Sequence, residues 1–207
     1  MALTPPTVAG SPPTKAETNA GFTSINGFLT TAYSEVLTAG REFREFMRLR
    51  GCTTFELDQM DLALGGLSSS VPAPAVVADP ADKTETNAAL TTMTALIDSY
   101  NTKAKLVFTT VRNFLNRLGF YRDAEAMDTA MNALSSPSTL TPEQVAADPV
   151  DTTETNTAFA NTVAFIDTAN AETVTSFNLL VTAMYVGSGS QGHTQRFINA
   201  IGIQAAH

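Results

Sequence analysis

Apolar residues recur at steps of three and four through three long stretches of this chain, at 17–51, 85–119 and 154–187. Such spacing places the apolar side chains on one side of an α-helix, so each stretch predicts a long amphipathic helix. Each stretch opens with the triplet Glu-Thr-Asn, and the triplets are separated by 68 and 69 residues. A nearly constant period of this length predicts a structural unit that occurs three times in tandem.

The residues that flank the three stretches predict where the helices begin and end. In each copy a residue able to cap a helix precedes a proline, as Ser11-Pro12, Asp79-Pro80 and Asp148-Pro149. Proline is well tolerated at the first helical position, so we expect the helices to begin at these prolines. Each stretch closes on a glycine, which readily adopts the left-handed conformation just past a helix end. These glycines are Gly51, Gly119 and Gly187.

A shorter helix is predicted after the long one, at 55–67 and 121–134, with a weaker counterpart at 196–201. Proline-rich segments follow the first two short helices and predict an extended return to the next copy. The chain is therefore predicted to be all-α and to form one compact domain. Its predicted parts are an extended N-terminal arm at 1–10 and three helical repeats at 11–78, 79–147 and 148–207, the last truncated or divergent.

Two arrangements of these helices fit the pattern. In the first, three uninterrupted long helices run parallel around a pseudo-threefold axis, because a short helix of ~20 Å and an extended return of ~36 Å together match the ~57 Å of a long helix. In the second, each long helix breaks at its Thr- and Asn-rich middle, near 30–31, 98–102 and 167–170. The chain would then form a stack of helical hairpins. We expect the parallel bundle.

The polar surface is poor in charge, since only 15% of the residues are charged, and the formal net charge is −8. An acidic chain of this kind is not expected to bind nucleic acid directly. Cys52 is the only cysteine, which rules out a disulfide within the chain. No apolar run approaches the ~20 residues that cross a bilayer, and the first residues do not resemble a secretory signal. We therefore expect no membrane contact and synthesis in a reducing cytoplasm.

The three triplet glutamates, Glu17, Glu85 and Glu154, are the candidate metal ligands of this sequence. If the pseudo-threefold axis exists, their carboxylates lie at one level and offer several oxygens to a hard cation. The alternative is structural, because a carboxylate in the first helical turn complements the helix dipole and accepts hydrogen bonds from nearby backbone N–H groups. We favour the structural interpretation and predict no metal and no cofactor.

Arginines cluster towards the C-terminal ends of the first two long helices and are candidate contacts for an acidic partner. They are Arg41, Arg44, Arg48, Arg50, Arg112, Arg117 and Arg122. The third copy has no arginine in the corresponding stretch. A contact with another protein subunit fits this asymmetry better than a symmetric nucleic-acid site. The plainer alternative is that they are solvated helix ends, whose positive charge suits the dipole.

No catalytic constellation is apparent in the sequence. The glycines at 187–192 match a dinucleotide-binding spacing, but they follow a helix and not a strand, so we interpret them as a loop. His193 and His207 are the only histidines, and with one cysteine they supply neither a zinc site nor a nucleophile with its base. We expect the protein not to be an enzyme.

The internal repeat, the richness in Thr, Asn and Ala, and the absence of catalytic motifs resemble bacteriophage virion components in style, without any aligned residues. This resemblance implies a structural or assembly protein: a capsid decoration protein, a head fibre, or a neck or tail adaptor. Its partners would be other virion subunits or further copies of itself, and it would reside in virions assembled in the host cytoplasm. The alternative is a helical-bundle binding module or carrier for a small apolar ligand.

Overall fold

The computed structural model describes residues 3–67, 72–122, 124, 125, 128 and 140–188, with side chains in the last helix described as far as 178 except at 172 and 176. Within these residues every regular element of secondary structure is a helix, and there is no strand. Four helices have full bounds: α1 (Lys15–Leu49), α2 (Thr54–Gly65), α3 (Lys83–Arg117) and α4 (Thr152–Ser188). The predicted helix at 196–201 lies outside the described residues, and of the one at 121–134 only residues 121, 122, 124, 125 and 128 are described, all helical.

The long helices α1, α3 and α4 contain 35, 35 and 37 residues and are not interrupted at their polar middles. Threonine hydroxyls there donate to the carbonyl four residues earlier, as Thr30 does to Asn26 and Thr31 to Gly27, both within 3.0 Å. These bonds satisfy the hydroxyls inside the helix, so the polar residues do not break it. The alternative of stacked helical hairpins is therefore wrong.

The helices begin three residues after the predicted prolines. The side chains of Thr14, Asp82 and Asp151 accept a hydrogen bond from the backbone N–H of the glutamate three residues later, at 3.3, 2.8 and 3.1 Å. This is the geometry of an N-cap, because the cap oxygen satisfies a first-turn N–H that has no partner within the helix.

The predicted caps Ser11, Asp79 and Asp148 are consequently wrong, and their prolines lie before the helices, each after a cis peptide bond. One of these residues has a different role. The carboxylate of Asp79 accepts from the backbone N–H of Lys15, at the start of α1, at 3.2 Å. A residue that resembles a local cap thus contacts the helix of the preceding copy.

Two of the three predicted helix ends are confirmed. Gly51 and Gly119 have φ angles of 73° and 85°, in the left-handed region where a side chain would be strained. The residue after each glycine donates its N–H to a carbonyl five residues earlier, Cys52 to Met47 and Phe120 to Leu115, at 3.1 and 3.0 Å, as in a Schellman motif. The third prediction is wrong, because α4 continues through Gly187 to Ser188.

The described chain divides into two compact units that cut across the three repeats. The first unit comprises 1–31, 70–99 and 136–168, and the second comprises 32–69, 100–135 and 169–207. Each unit thus takes one part of every copy. The division into an arm and three repeats stays a prediction.

In the first unit the three helix starts are joined by backbone contacts. Ala81 N–H donates to Pro13 C=O, and Val150 N–H donates to Ala81 C=O, both at 3.1 Å. Pro13 occupies the equivalent position in the first copy and has no N–H, so it cannot donate a third such bond. Just beyond these starts, Phe22 and Phe159 are buried and pack edge to face, with ring centroids 5.2 Å apart.

In the second unit α2 buries the side chains of Met60, Ala63 and Leu64. Leu64 lies so close to Gly40 that a Cβ there would come within 2.3 Å of a leucine methyl carbon. Aromatic rings fill much of the remaining core, and Phe108 and Phe177 pack edge to face at 5.0 Å. The apolar sides predicted from the three-and-four spacing are therefore the core of both units.

Candidate functional site

The three triplet glutamates accept hydrogen bonds from the backbone just ahead of their own helices. Glu17 accepts from Ala9 and Gly10 at 3.2 and 3.0 Å. Glu85 likewise accepts from Ala78 at 2.9 Å, and Glu154 from Ala147 at 3.0 Å. Each carboxylate thus fastens the extended segment that precedes its helix to the first turn of that helix.

Backbone donors stabilise the ionised form of these carboxylates. Hydrogen bonds from the backbone and side chain of Thr14, with those from Gly10 and Ala9, lower the pKa of Glu17 from 4.5 to about 2. The backbone N–H groups of Ala78 and Val77 lower the pKa of Glu85. Among the residues that the structure describes, no three His, Cys, Asp or Glu side chains gather as metal ligands.

The third residue of each triplet is a functional position that sequence reasoning missed. Each of these asparagines makes a pair of hydrogen bonds to one valine of an extended segment, accepting from its N–H and donating to its C=O. The pairs are Asn19 with Val76, Asn87 with Val145 and Asn156 with Val8, at 2.7 to 3.1 Å. The asparagine of α1 thereby binds the segment that precedes α3. The asparagine of α3 binds the segment that precedes α4, and the asparagine of α4 binds the segment that precedes α1.

The N-terminal arm takes part in this arrangement. Besides the bonds of Val8, the backbone N–H of Leu3 donates to the carboxylate of Asp167 at 3.1 Å. Val8 is buried. From residue 3 onward, the predicted arm is therefore bound to the third copy of the same chain.

Four of the seven candidate arginines form ion pairs within the second unit. Arg44 pairs with Asp61, and Arg112 pairs with Asp128 at 2.7 Å. These two pairs occupy equivalent positions in the first and second copies. Each joins a long helix to the short helical segment that follows it.

The other five arginines, two of which are also paired, have different surroundings. Arg48 pairs with Glu45 on the same helix, and Arg117 pairs with Glu56 at 2.6 Å. Arg50 lies over the ring of Phe46 at 5.6 Å. Arg41 and Arg122 are exposed. Four of the seven arginines are thus already paired with carboxylates of the second unit.

A polar group inside the second unit was also not predicted. Asn101 is buried, and its side-chain carbonyl oxygen has no hydrogen-bond partner among the described residues. Nearby in sequence, Tyr100 is buried and packs edge to face on Tyr33 at 4.9 Å. Burial raises the pKa of the Tyr100 hydroxyl, so this group stays protonated at neutral pH and is available only as a neutral hydrogen-bonding group.

The alternative of a small-ligand carrier calls for an enclosed apolar cavity. An open cleft of about 200 Å³ lies beside the start of α4, lined partly by the polar side chains of Glu143, Gln144 and Thr153. Pockets that enclose a small molecule usually hold 300–1,000 Å³ and are mostly apolar. The cleft is smaller and more polar than that.

Large apolar side chains are exposed on the second unit. On α2, Phe55 and Leu62 expose 70% and 67% of their surface. Leu49 and Tyr121, close to the ends of α1 and α3, are also exposed. Single exposed apolar residues are common on proteins, whereas a contiguous exposed apolar patch is typical of a surface for protein contacts.

Comparison of the chain with family models, curated protein sequences and solved structures finds no match in any of the three. None of the described helices is long and apolar enough to cross a membrane.

Proposed function

We propose that this chain is a non-enzymatic structural or assembly protein that acts through protein–protein contacts. The observation that carries the proposal is the use made of its polar side chains. The glutamates and asparagines of the triplets bind backbone groups of the chain itself, and four of the candidate arginines pair with carboxylates on neighbouring turns or helices. The chain has few charged side chains to offer a partner beyond these, and it exposes large apolar residues such as Phe55 and Leu62.

We further propose that the three copies are arranged around a pseudo-threefold axis. Support comes from the order of the Asn–Val contacts, which join α1 to the segment that precedes α3, α3 to the segment that precedes α4, and α4 to the segment that precedes α1. A cyclic order of equivalent contacts is what rotation about one axis generates. Such a monomer offers related surfaces in three directions, which suits a position in a symmetric assembly.

The kind of assembly that we propose is a bacteriophage virion, with the chain as a capsid decoration protein, head fibre, or neck or tail adaptor. The style of the sequence supports this choice, and so does its low charge, because charged residues are depleted at the centres of protein interfaces. The protein would then be assembled into particles in the host cytoplasm.

The proposal is tested by purifying particles from the organism that encodes the chain and probing them with an antibody to it. We expect the chain to co-sediment with particles and to appear in electron micrographs at repeated positions. A chain that sediments only as an isolated monomer, and is found in no particle, would overturn the proposal. Native mass spectrometry of the same material would show a bound small molecule if the carrier alternative were correct.

A further inference from the structure

The outer side of α2 carries an apolar stripe that is not used inside the second unit. Phe55 and Leu62 are seven residues apart, so they lie on the same side of the helix, ~10 Å from each other along its axis. Both are mostly exposed, whereas Met60, Ala63 and Leu64 are buried. The helix therefore has apolar side chains on both its inner and its outer side.

The second copy of the repeat shows that its packing does not require this stripe. The equivalent ion pairs Arg44–Asp61 and Arg112–Asp128 align the two short helical segments. In that alignment Arg122 replaces Phe55 and Thr129 replaces Leu62, and Arg122 is exposed. In this alignment the second copy therefore has no apolar residue at either position.

A single negative charge lies between the two apolar side chains. Of the acidic residues of α2, Glu56 pairs with Arg117 and Asp61 pairs with Arg44. Asp58 is exposed and forms no ion pair with any residue that the structure describes. The outer side of α2 thus presents the apolar Phe55, then the anionic Asp58, then the apolar Leu62.

We propose that this stripe binds a helix of a partner protein that carries a lysine or arginine between two apolar side chains one heptad apart. Apolar contacts at both ends supply the affinity, and the central cation neutralises Asp58 and fixes the register of the two helices. The inference rests on the proposed function, in that it assigns one surface through which the chain meets another subunit.

A second copy of this chain does not fit the stripe. Two α2 helices related by a twofold axis would contact each other through the same residues. Phe55 of each would meet Leu62 of the other, but the two Asp58 carboxylates would face each other at the centre. Like charges across an interface are unfavourable, so the charge pattern selects a partner of opposite sign.

The test measures binding of the full-length chain to a fluorescent helical peptide that carries Leu, Lys and Leu at positions i, i+3 and i+7 of an Ala/Gln background. We expect fluorescence anisotropy to give a dissociation constant of the order of micromolar, as for a small interface. The double variant F55S/L62S should weaken binding by at least about tenfold. The control V77S replaces an equally exposed apolar residue of the first unit, 71% exposed, and should leave binding unchanged.

Charge reversal tests the role of Asp58. The variant D58K should weaken binding of the lysine peptide, and a peptide with Glu at the central position should restore it. Circular dichroism of F55S/L62S and D58K should show unchanged helicity, since the side chains of Phe55, Leu62 and Asp58 are all exposed. Any one of three results would overturn the inference. The dissociation constant of the wild-type chain for the lysine peptide could exceed about 1 mM, F55S/L62S could bind the peptide as tightly as the wild type, or the charge of the central peptide residue could leave binding unchanged.

Three further outcomes show whether this inference, the proposed function or neither of them fails. If sedimentation shows a wild-type dimer that F55S/L62S abolishes, the stripe binds a second copy and the inference is wrong. If F55S/L62S still enters particles at the wild-type level, the assembly role stands and this surface does not serve it. If the peptide binds as expected but no particle contains the chain, the proposed function falls and the surface stands.

Discussion

The two units of this protein use charge in opposite ways. The first unit contains two basic and ten acidic side chains, a formal charge of −8, whereas the second contains ten of each and is neutral. In the first unit seven of the ten carboxylates accept hydrogen bonds from backbone N–H groups. In the second unit four carboxylates pair with arginine side chains.

This difference explains why the sequence repeat is clear at the helix starts and faint towards the helix ends. A carboxylate or amide that binds backbone groups depends on main-chain geometry, which every copy shares, so the same residue types recur in all three. Ion pairs between side chains can be exchanged for other contacts without changing the backbone. The second unit accordingly varies more between copies: the third copy lacks the arginines that pair in the first two, and the second copy lacks the apolar stripe of α2.

The largest effect is expected from breaking one Asn–Val contact in the first unit. Asn87 accepts from Val145 N–H at 2.8 Å and donates to its carbonyl at 3.1 Å. The variant Asn87→Ala leaves two part-buried backbone groups without partners and should lower the free energy of unfolding by about 2–4 kcal/mol, measured by urea denaturation. Asn113→Ala, at an exposed position of the same helix, is the control and should change it by less than about 0.5 kcal/mol. Equal effects of the two variants would contradict the structural role of the triplet.

A smaller effect is expected from a close contact in the core of the first unit. A Cβ on Gly21 would lie 2.2 Å from the Phe159 ring, whereas a Cβ on Gly27 would meet nothing within 4 Å. Gly21→Ala should therefore destabilise the protein by about 1–3 kcal/mol through overpacking. Gly27→Ala should stabilise it by up to about 1 kcal/mol, because alanine favours the helix. Thermal unfolding followed by circular dichroism measures both, and a stabilising Gly21→Ala would refute the close packing.

How much of this could be read from the sequence depends on whether the deciding contact is local. The long helices, their period and the left-handed Gly51 and Gly119 follow from neighbouring residues and were predicted. The helix starts were not, because Asp79 and Asp82 are equally good caps in sequence. Asp79 instead accepts a hydrogen bond from Lys15, 64 residues away, and no local pattern indicates that contact.

The same reasoning applies to the candidate site. The triplets were recognisable as markers, yet the partner of Asn156 is Val8, 148 residues earlier, and no spacing rule connects the two. The arginines were visible as clusters, but the carboxylate partners of Arg44 and Arg112 lie on a different helical segment, 17 and 16 residues on. A period reveals that a residue is needed in each copy, and only the fold reveals what it contacts.

Acid should remove part of the stability of the first unit. The pKa of Glu17 is lowered from 4.5 to about 2, and that of Glu85 is lowered as well. A depressed folded-state pKa stabilises the protein above the unfolded-state value, and this contribution disappears as the pH falls from 4.5 towards 2. Urea denaturation between pH 7 and pH 2 should show this loss. Glu17→Gln should be less stable at pH 7 and show a shallower decline, and an unchanged decline would contradict the assignment.

The smallest effect is expected from an ion pair of the second unit. Arg112 and Asp128 are 2.7 Å apart, but about a third of each side chain is exposed, so solvent screens their attraction. A double-mutant cycle with Arg112→Ala and Asp128→Ala should give a coupling of about 0.2–1 kcal/mol, smaller still at high salt. The equivalent cycle on Arg44 and Asp61 should agree with it. A coupling as large as the loss from Asn87→Ala would mean that side-chain pairs constrain the second unit as strongly as backbone contacts constrain the first. The divergence between copies would then need another cause.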